Sequence, residues 1–363
     1  MKIAYVGLHQ QAQYILGGVG NKILTQVRLW QEAGHQARLF LHSPDTFVLP
    51  DTSVFSFPKK RGFPSQEVSR SRMLAEMISA IKSWQPDVIY LRYSRYAWPL
   101  QQLFDVAPVV MELNSVDLQE YKLRGKLIAA INRLTRGIML SRAAGLVAVS
   151  REIADRPENT RWKTPITVIA NGVDLDDFSP LPARPQARPA VAMVSSPNLP
   201  WHGVEKLASL ALRYPDLDVH IIGYAEKDWS DNHLPQNIHL HGWMQRPDIE
   251  LILIKSDAAC GTLALHIKGM NEASPLKVRE ALAYGLPVIL AYKDTDLKSL
   301  QSDYILQIPN TPDNIESHAT QVYEFVRRMQ GRRIPRSEIV QLIDQRHKEV
   351  QRLDFLRYCS KSA

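Results

Sequence analysis

Glu272-Ala273-Ser274-Pro275-Leu276-Lys277-Val278-Arg279-Glu280, continued by Ala281-Leu282-Ala283-Tyr284-Gly285-Leu286-Pro287-Val288-Ile289-Leu290, is the most informative segment of the chain. Pro275 suits the first position of a helix, Gly285 stops that helix, and Val288-Ile289-Leu290 reads as a buried parallel strand. Glu272 then precedes the helix and Glu280 rides on its second turn. If most of the spacing is helical, the two carboxylates stand up to about 12 Å apart along the axis. The free backbone N–H groups of Leu276 and Lys277, with their partial positive charge, lie between them. A ligand with hydroxyls at both ends and a diphosphate in the middle has that shape, as a nucleotide-sugar does. Capping or solvated glutamates are the other reading that the residues leave open.

Outward from this stretch, short apolar runs alternate with amphipathic segments, as a parallel sheet covered by helices requires. Strands are expected near 2–7, 36–42, 53–57, 87–91, 108–112, 144–149 and 166–169, with helices near 18–33, 67–84, 118–142 and 150–156. A stretch carrying Pro180, Pro182, Pro185 and Pro189 follows and reads as a linker. A second alternation has strands near 190–194, 217–222, 237–240, 256–260, 287–290 and 304–307, and helices near 203–213, 246–254, 275–284 and 312–330. Residues 336–358 read as one amphipathic helix. The chain of 363 residues is comfortable for two domains of ordinary size.

Together these segments resemble glycosyltransferase family 4, a group of retaining enzymes with the GT-B fold. The two glutamates and their spacing match its E-x7-E motif. Met1 to Gly7 followed by Gly17-Gly18-Val19-Gly20 is similar to its opening. Ala143-Ala144-Gly145-Leu146-Val147-Ala148-Val149-Ser150 and Ile169-Ala170-Asn171-Gly172-Val173-Asp174 resemble its mid-chain signature. The resemblance implies an α/β GT-B architecture of two Rossmann-like domains facing a central cleft. Residues 1–172 would form the acceptor-binding domain, joined by a C-terminal helix at about 336–363 that crosses back to it. Residues 190–335 would form the nucleotide-sugar domain, with 173–189 as the linker. It further implies transfer of a sugar from a nucleotide diphosphate-sugar, with retention, to a glycan, lipid-linked or small-molecule acceptor. Neither a cofactor nor a metal is expected, and the histidines lack ligand spacing.

The site residues follow from the same match. Glu272 is the candidate for the hydroxyls of the donor sugar and Glu280 for the ribose diol, since a carboxylate accepts two such bonds. Gly18 opens a helix whose turn lets the backbone approach a ligand closely. Glu112 and Asn114, with Glu272 the catalytic candidates, end a strand where many family members keep a histidine that bonds the donor sugar; they resemble a subgroup that carries a carboxylate and an amide there, groups that can hydrogen-bond sugar hydroxyls. Arg92 and Arg95, in a loop rich in Arg and Tyr, suit a phosphate or an acceptor carboxylate; solvated arginines on a surface loop are the alternative. Ser196 and His202 stand where the family usually places an arginine and a lysine against the donor diphosphate. Lys277, ahead of Lys268 and Lys206, is the candidate to restore that charge, with Leu276 contributing its amide. Those two departures motivate a second reading, a glycosyltransferase-shaped binding protein without catalysis. Another GT-B reaction, such as sugar-nucleotide epimerisation, is a third.

Charge and composition limit the partners. Residues 1–170 hold 22 Lys and Arg against 13 Asp and Glu, whereas the remainder holds 22 against 24. The basic excess of the first half calls for an anionic partner, among which nucleic acid ranks last because no nucleic-acid module accompanies it. Residues 121–143 place Leu123, Leu127, Ile131, Leu134, Ile138 and Met139 at helical spacing between Lys122, Arg124, Lys126, Arg133, Arg136 and Arg142. Such a helix either lays its apolar face on the sheet or lies on an anionic membrane; Lys59-Lys60-Arg61 adds weight to the second. No apolar run is long enough to span a bilayer. Two isolated cysteines, Cys260 and Cys359, point to a cytoplasmic protein, peripheral on the inner membrane face if it touches lipid at all.

Overall fold

A computed structural model describes residues 1–15, 17–57, 65–183, 187–197, 199–229 and 233–361. Two compact units emerge, Met1–Ala170 with Gln345–Ala363, and Asn171–Asp344. Both are α/β with parallel sheets, as the GT-B class requires.

The first unit is a seven-stranded sheet of β1 (Lys2–Gly7), β2 (Gln36–Ser43), β3 (Thr52–Ser56), β4 (Val88–Arg92), β5 (Val109–Leu113), β6 (Gly145–Ala148) and β7 (Ile166–Val168). Its order is β3-β2-β1-β4-β5-β6-β7. Ile3 to Val6 and Val88 to Leu91 are wholly buried, because a parallel strand covered on both faces needs a continuous apolar run rather than alternation. Among the connecting helices are α1 (Ala12–Ile15), α2 (Gly18–Glu32), α3 (Ser65–Trp84), α4 (Asp117–Arg124), α5 (Lys126–Leu140), α6 (Arg151–Ala154) and α7 (Pro157–Thr160). The helix expected over 118–142 is therefore two. Gly125, at φ 133°, ends one and precedes the other, a conformation that side-chain-bearing residues rarely adopt.

The chain returns to this unit for its last helix, Gln345–Lys361, whose Leu353, Leu356 and Cys359 join the core of Ile3, Tyr5, Trp30 and Tyr90. The packing is close enough that a Cβ on Gly145 would stand 2.5 Å from Cys359 Sγ. The single helix expected from 336 is broken at Asp344, which has extended backbone. Arg336–Ile343 stays with the second unit.

The second unit carries β8 (Ala190–Val194), β9 (Asp218–Ile222), β10 (Ile238–Leu240), β11 (Ala258–Cys260), β12 (Glu272–Ala273), β13 (Val288–Leu290), β14 (Lys293–Asp294) and β15 (Ile305–Gln307). Six of them form a sheet in the order β10-β9-β8-β11-β13-β15, while β12 and β14 pair separately. Its helices include α8 (Lys206–Arg213), α9 (Arg246–Ile254) and α10 (Leu276–Ala283). Residues 171–181, in the region read as approaching or forming a linker, are bound into this unit: Leu181 N donates to Tyr284 O at 2.9 Å and Asn171 Nδ2 to Ser274 O at 2.6 Å. The strand order reverses between β1 and β4 in the first sheet and between β8 and β11 in the second. Ligands of doubly wound sheets collect at such points, outside the carboxyl ends of the strands.

Candidate active site

In the second unit the loops after β8 and β11 are tied together, Leu263 N donating to His202 O at 2.9 Å and Ala264 N to Trp201 O at 3.2 Å. Gly223 approaches the end of β8 so closely that a Cβ there would lie 2.0 Å from Ser195 O. These contacts hold a short turn, Pro200–His202, at the switch point. His202 Nδ1 is 2.7 Å from Ser195 Oγ. Burial, then the charges of Lys277 and Lys268, hold its imidazole down to about 2, so it is neutral at physiological pH. Ser196 is exposed beside it.

Helix α10 begins at this place. Pro275 is its N-cap, one position earlier than the sequence suggested, and no side chain caps it. The amides of Leu276 and Lys277 belong to the first turn, where intrahelical partners are lacking. Lys277 Nζ is buried and has no hydrogen-bond partner among the described residues. Burial brings its ammonium down to about 7, and the Cys260 thiol is the opposing influence. Lys268 Nζ sits 4.6 Å above the Trp201 ring. Thus His202, Lys277, Lys268 and the α10 N-terminus meet at one place.

Lys206 does not join them. Its ammonium donates to Leu263 O, Thr311 O and Asn314 Oδ1 at 2.9–3.0 Å, which uses all three of its donors in holding loops together. Glu272 is buried on β12, a two-residue strand rather than a loop, with Lys298 Nζ 3.7 Å from Oε1. Glu280 is half-buried on α10; burial raises its carboxyl and Arg246 opposes that rise. The helix ends in a Schellman motif, Leu286 N donating to Ala281 O and Gly285 N to Leu282 O, with Gly285 at φ 87°.

One residue that the sequence reading passed over organises this site. Arg279 is fully buried and donates to Asn171 O at 3.1 Å, to both oxygens of Asp294 and to Asp296. It joins the Asn171-Gly172 segment, β14 and α10 into one body, so the two motifs are physically coupled. A buried guanidinium demands carboxylates; Asp294 and Asp296, just after a strand, were the signal.

In the first unit Glu112 has no exposed surface. It accepts from Lys22 Nζ at 2.6 Å and from Arg92 at 2.9 Å, with Arg352 of the last helix 3.9 Å away. Burial alone would raise its carboxyl, but these three cations hold it well below the usual range. Arg92 also donates to Asn114 Oδ1 at 3.0 Å, and Asn114 returns a bond to Glu112. Glu112 and Arg92 therefore form an internal ion cluster that positions Asn114 at the end of β5. Gly18 starts α2, and the backbone of α1 lies so near Gly20 that a Cβ there would meet Ile15 O at 1.8 Å. Arg95 is partly exposed in the loop after β4.

Helix α5 reverses the more ordinary of its two expected arrangements. Its inward face carries Asn132 and Arg136 with Met139 and Leu140, while Leu127 and Leu134 are 74% and 80% exposed. Arg136 is 1% exposed and grips Asp117 through two bonds, then Glu158 O and Asn159 Oδ1. It is a structural clamp, not a solvated or lipid-facing charge. Lys59-Lys60-Arg61 lies outside the described residues.

Residues 16–177 match the sequence profile of Glycosyltransferase Family 4. No curated protein matches the chain in sequence. Solved structures do match its fold. Sucrose-phosphate synthase from Thermosynechococcus elongatus is 16% identical with a TM-score of 0.72, covering 100% of both chains. HepE from Anabaena, solved with UDP and glucose, is 15% identical with a TM-score of 0.67 over 98% of this chain and 99% of its own. The lipopolysaccharide outer core galactosyltransferase WaaB is 14% identical at 0.64, again over 98% and 99%. Such identities speak for the fold, and the profile speaks for the lineage of the first unit. The chain thus has the GT-B fold, and its residues 16–177 are similar to glycosyltransferase family 4.

Proposed function

We propose that the chain is a retaining, metal-independent transferase that moves a sugar from a nucleotide diphosphate-sugar to a glycan, lipid-linked or small-molecule acceptor. The observation that carries this is the buried, unpartnered ammonium of Lys277 at the uncapped start of α10. A diphosphate there meets two helix amides and a cation that has no other partner, which is how a developing phosphate charge is stabilised without metal. Glu280, one turn further on, takes the ribose diol, and Glu272 takes the sugar hydroxyls. The C1–O bond to the diphosphate breaks as the acceptor oxygen bonds to C1 on the same face. The acceptor proton passes to the departing phosphate oxygen.

Calorimetry with UDP, GDP and ADP, each alone and as sugar conjugates, tests this on the parent and Glu280→Ala. UDP is the first to try, since HepE binds it. Expected is tight binding of one nucleotide, weakened by the substitution; binding of none removes the reading. The neutral His202, bonded to Ser195, favours one rival, a protein that binds without turnover; Glu272→Ala would then leave any measured rate unchanged. Donor converted in the absence of acceptor would reveal an epimerase instead.

The outward leucines of α5, flanked by exposed Lys122, Lys126 and Arg133, support a peripheral site on the cytoplasmic face of an anionic membrane. No helix among the described residues is long and apolar enough to cross a membrane.

A further inference from the structure

At the carboxyl edge of the first sheet, around the switch point of β1 and β4, lies a second cluster that the donor chemistry does not use. His9 follows β1, His42 ends β2, Arg70 lies in the second turn of α3 and Arg95 follows β4. The His9 and His42 rings meet edge to face at 5.3 Å, and Phe57 stacks on His42 at 4.5 Å. His42 is 0% exposed and its Nε2 bonds the Arg70 carbonyl at 3.0 Å. A carbonyl only accepts, so Nε2 carries the proton and Nδ1 keeps a lone pair. That Nδ1, His9 Nε2 and Arg70 Nε are all buried with no hydrogen-bond partner among the described residues. Three orphaned polar atoms in one place are rare, because each costs desolvation free energy that no described residue returns.

Two further facts concern this cluster. His9 has φ 55°, a left-handed conformation uncommon for a residue with a side chain, which Asp51, Gln85 and Lys163 also adopt. The charges are also unbalanced. Arg70 pairs with Glu67 at 2.5 Å, and Arg95 stands near enough to act on both Arg70 and His9. Burial first, then His42, Arg70 and Arg95, hold His9 down to about 3, against a hydrogen bond to the Arg95 backbone that opposes the shift. Burial also holds His42 down, to about 4. The empty cluster thus presents two guanidinium groups as donors and two neutral imidazole lone pairs as acceptors. His9, Arg70 and Arg95 keep some exposed surface, and His42 is fully buried against them.

We propose that His9, His42, Arg70 and Arg95 form the acceptor-recognition site of this transferase, and that it takes an acceptor bearing an anionic group, a phosphate or carboxylate, next to a hydroxyl. The guanidinium groups bind the anionic oxygens; the imidazoles accept the hydroxyl or phosphate O–H. This rests on the transferase reading above, but it concerns the first unit and a different ligand.

Calorimetry on the full chain with inorganic phosphate, glucose 6-phosphate and uncharged glucose tests it, alongside UDP as a control on the second unit. Expected is binding of glucose 6-phosphate well above glucose. Arg95→Ala should weaken it about tenfold or more, and Arg95→Lys should recover part of the loss. UDP affinity should stay at the parent value in both variants. Vesicles of phosphatidylcholine with and without phosphatidic acid separate a soluble acceptor from a lipid headgroup: only a headgroup ligand gives vesicle binding that Arg95→Ala reduces. Sugar phosphate and phosphatidic acid both bound no better by the parent than by Arg95→Ala would overturn the proposal. With UDP binding intact, that result leaves the transferase reading standing. Loss of UDP binding in the parent would remove that reading separately.

Discussion

Lys277 places an ammonium where the free protein offers it no partner, and that has consequences on both sides of binding. In the folded, empty protein burial holds it at about 7, below the ordinary lysine value. The unfolded chain therefore binds more protons than the native one between about pH 7 and that ordinary value, and native stability rises across this interval. Lys277→Met should remove that rise and stabilise the empty protein by roughly 1–3 kcal/mol at neutral pH; thermal unfolding at pH 7 and pH 9 would show it. The same substitution should weaken nucleoside diphosphate binding at least about tenfold, since a charge-assisted contact is lost. In the parent the diphosphate binds the protonated amine, so affinity should hold below pH 7 and fall above it. Calorimetry in buffers of different ionisation enthalpy should detect proton uptake in the parent and none in Lys277→Met. Glu112 has the opposite sign. Its carboxyl is depressed in the fold by Lys22, Arg92 and Arg352 against the effect of burial, so its stabilising effect is present above the ordinary glutamate value. It is lost as pH falls below that value and through the folded one. Glu112→Gln should flatten the acid limb of the unfolding profile.

At the scale of the element, α5 shows why periodicity names a stripe without naming its partner. The spacing of Leu127, Ile131, Leu134 and Ile138 predicts an apolar face; it does not say whether that face meets the sheet. Here the inward positions go to Asn132 and Arg136, because Asp117 at the start of α4 needs a buried counter-charge. Leu134→Ser with Leu127→Ser should leave stability within about 0.5 kcal/mol, as surface changes do, while abolishing co-sedimentation with anionic vesicles. Stable variants that bind vesicles as the parent does would exclude the membrane role of this face. Arg136→Met should destabilise by about 3–5 kcal/mol, since it leaves Asp117 buried and unpaired; chemical denaturation measures the difference. Helix α10 is the contrasting element. Its stop at Gly285 and its following strand were legible because glycine and a β-branched run act locally, and only its first position shifted, from Pro275 to Leu276.

At the scale of the whole molecule, the first unit is closed by residues from the far end of the chain. Trp30 Nε1 donates to Glu349 at 2.8 Å, Gln345 Nε2 to Lys22 O at 3.0 Å, and Arg352 Nε to the Tyr90 hydroxyl at 2.9 Å. A chain ending at Asp344 should lose the cooperative unfolding of the first unit while hydrogen exchange in β8, β9 and β11 stays slow; equal loss in both units would refute their independence. Local pattern sufficed for the α/β class and for the two large sheets, with their strands within a residue or two, but not for the short pair β12 and β14. The class and the large sheets follow from burial on both strand faces and from turn residues, which act over a few positions. Tertiary structure alone decided which charges are internal. Lys206, Arg92, Arg136 and Arg279 look on paper like any basic residues, and each is satisfied by carboxylates, carbonyls or amides distant in sequence. Lys277 stands out on paper only for its place at a helix start, and its ammonium is left without a partner among the described residues. Whether a charge finds a partner depends on which strand ends the topology brings together, and local pattern carries no record of that.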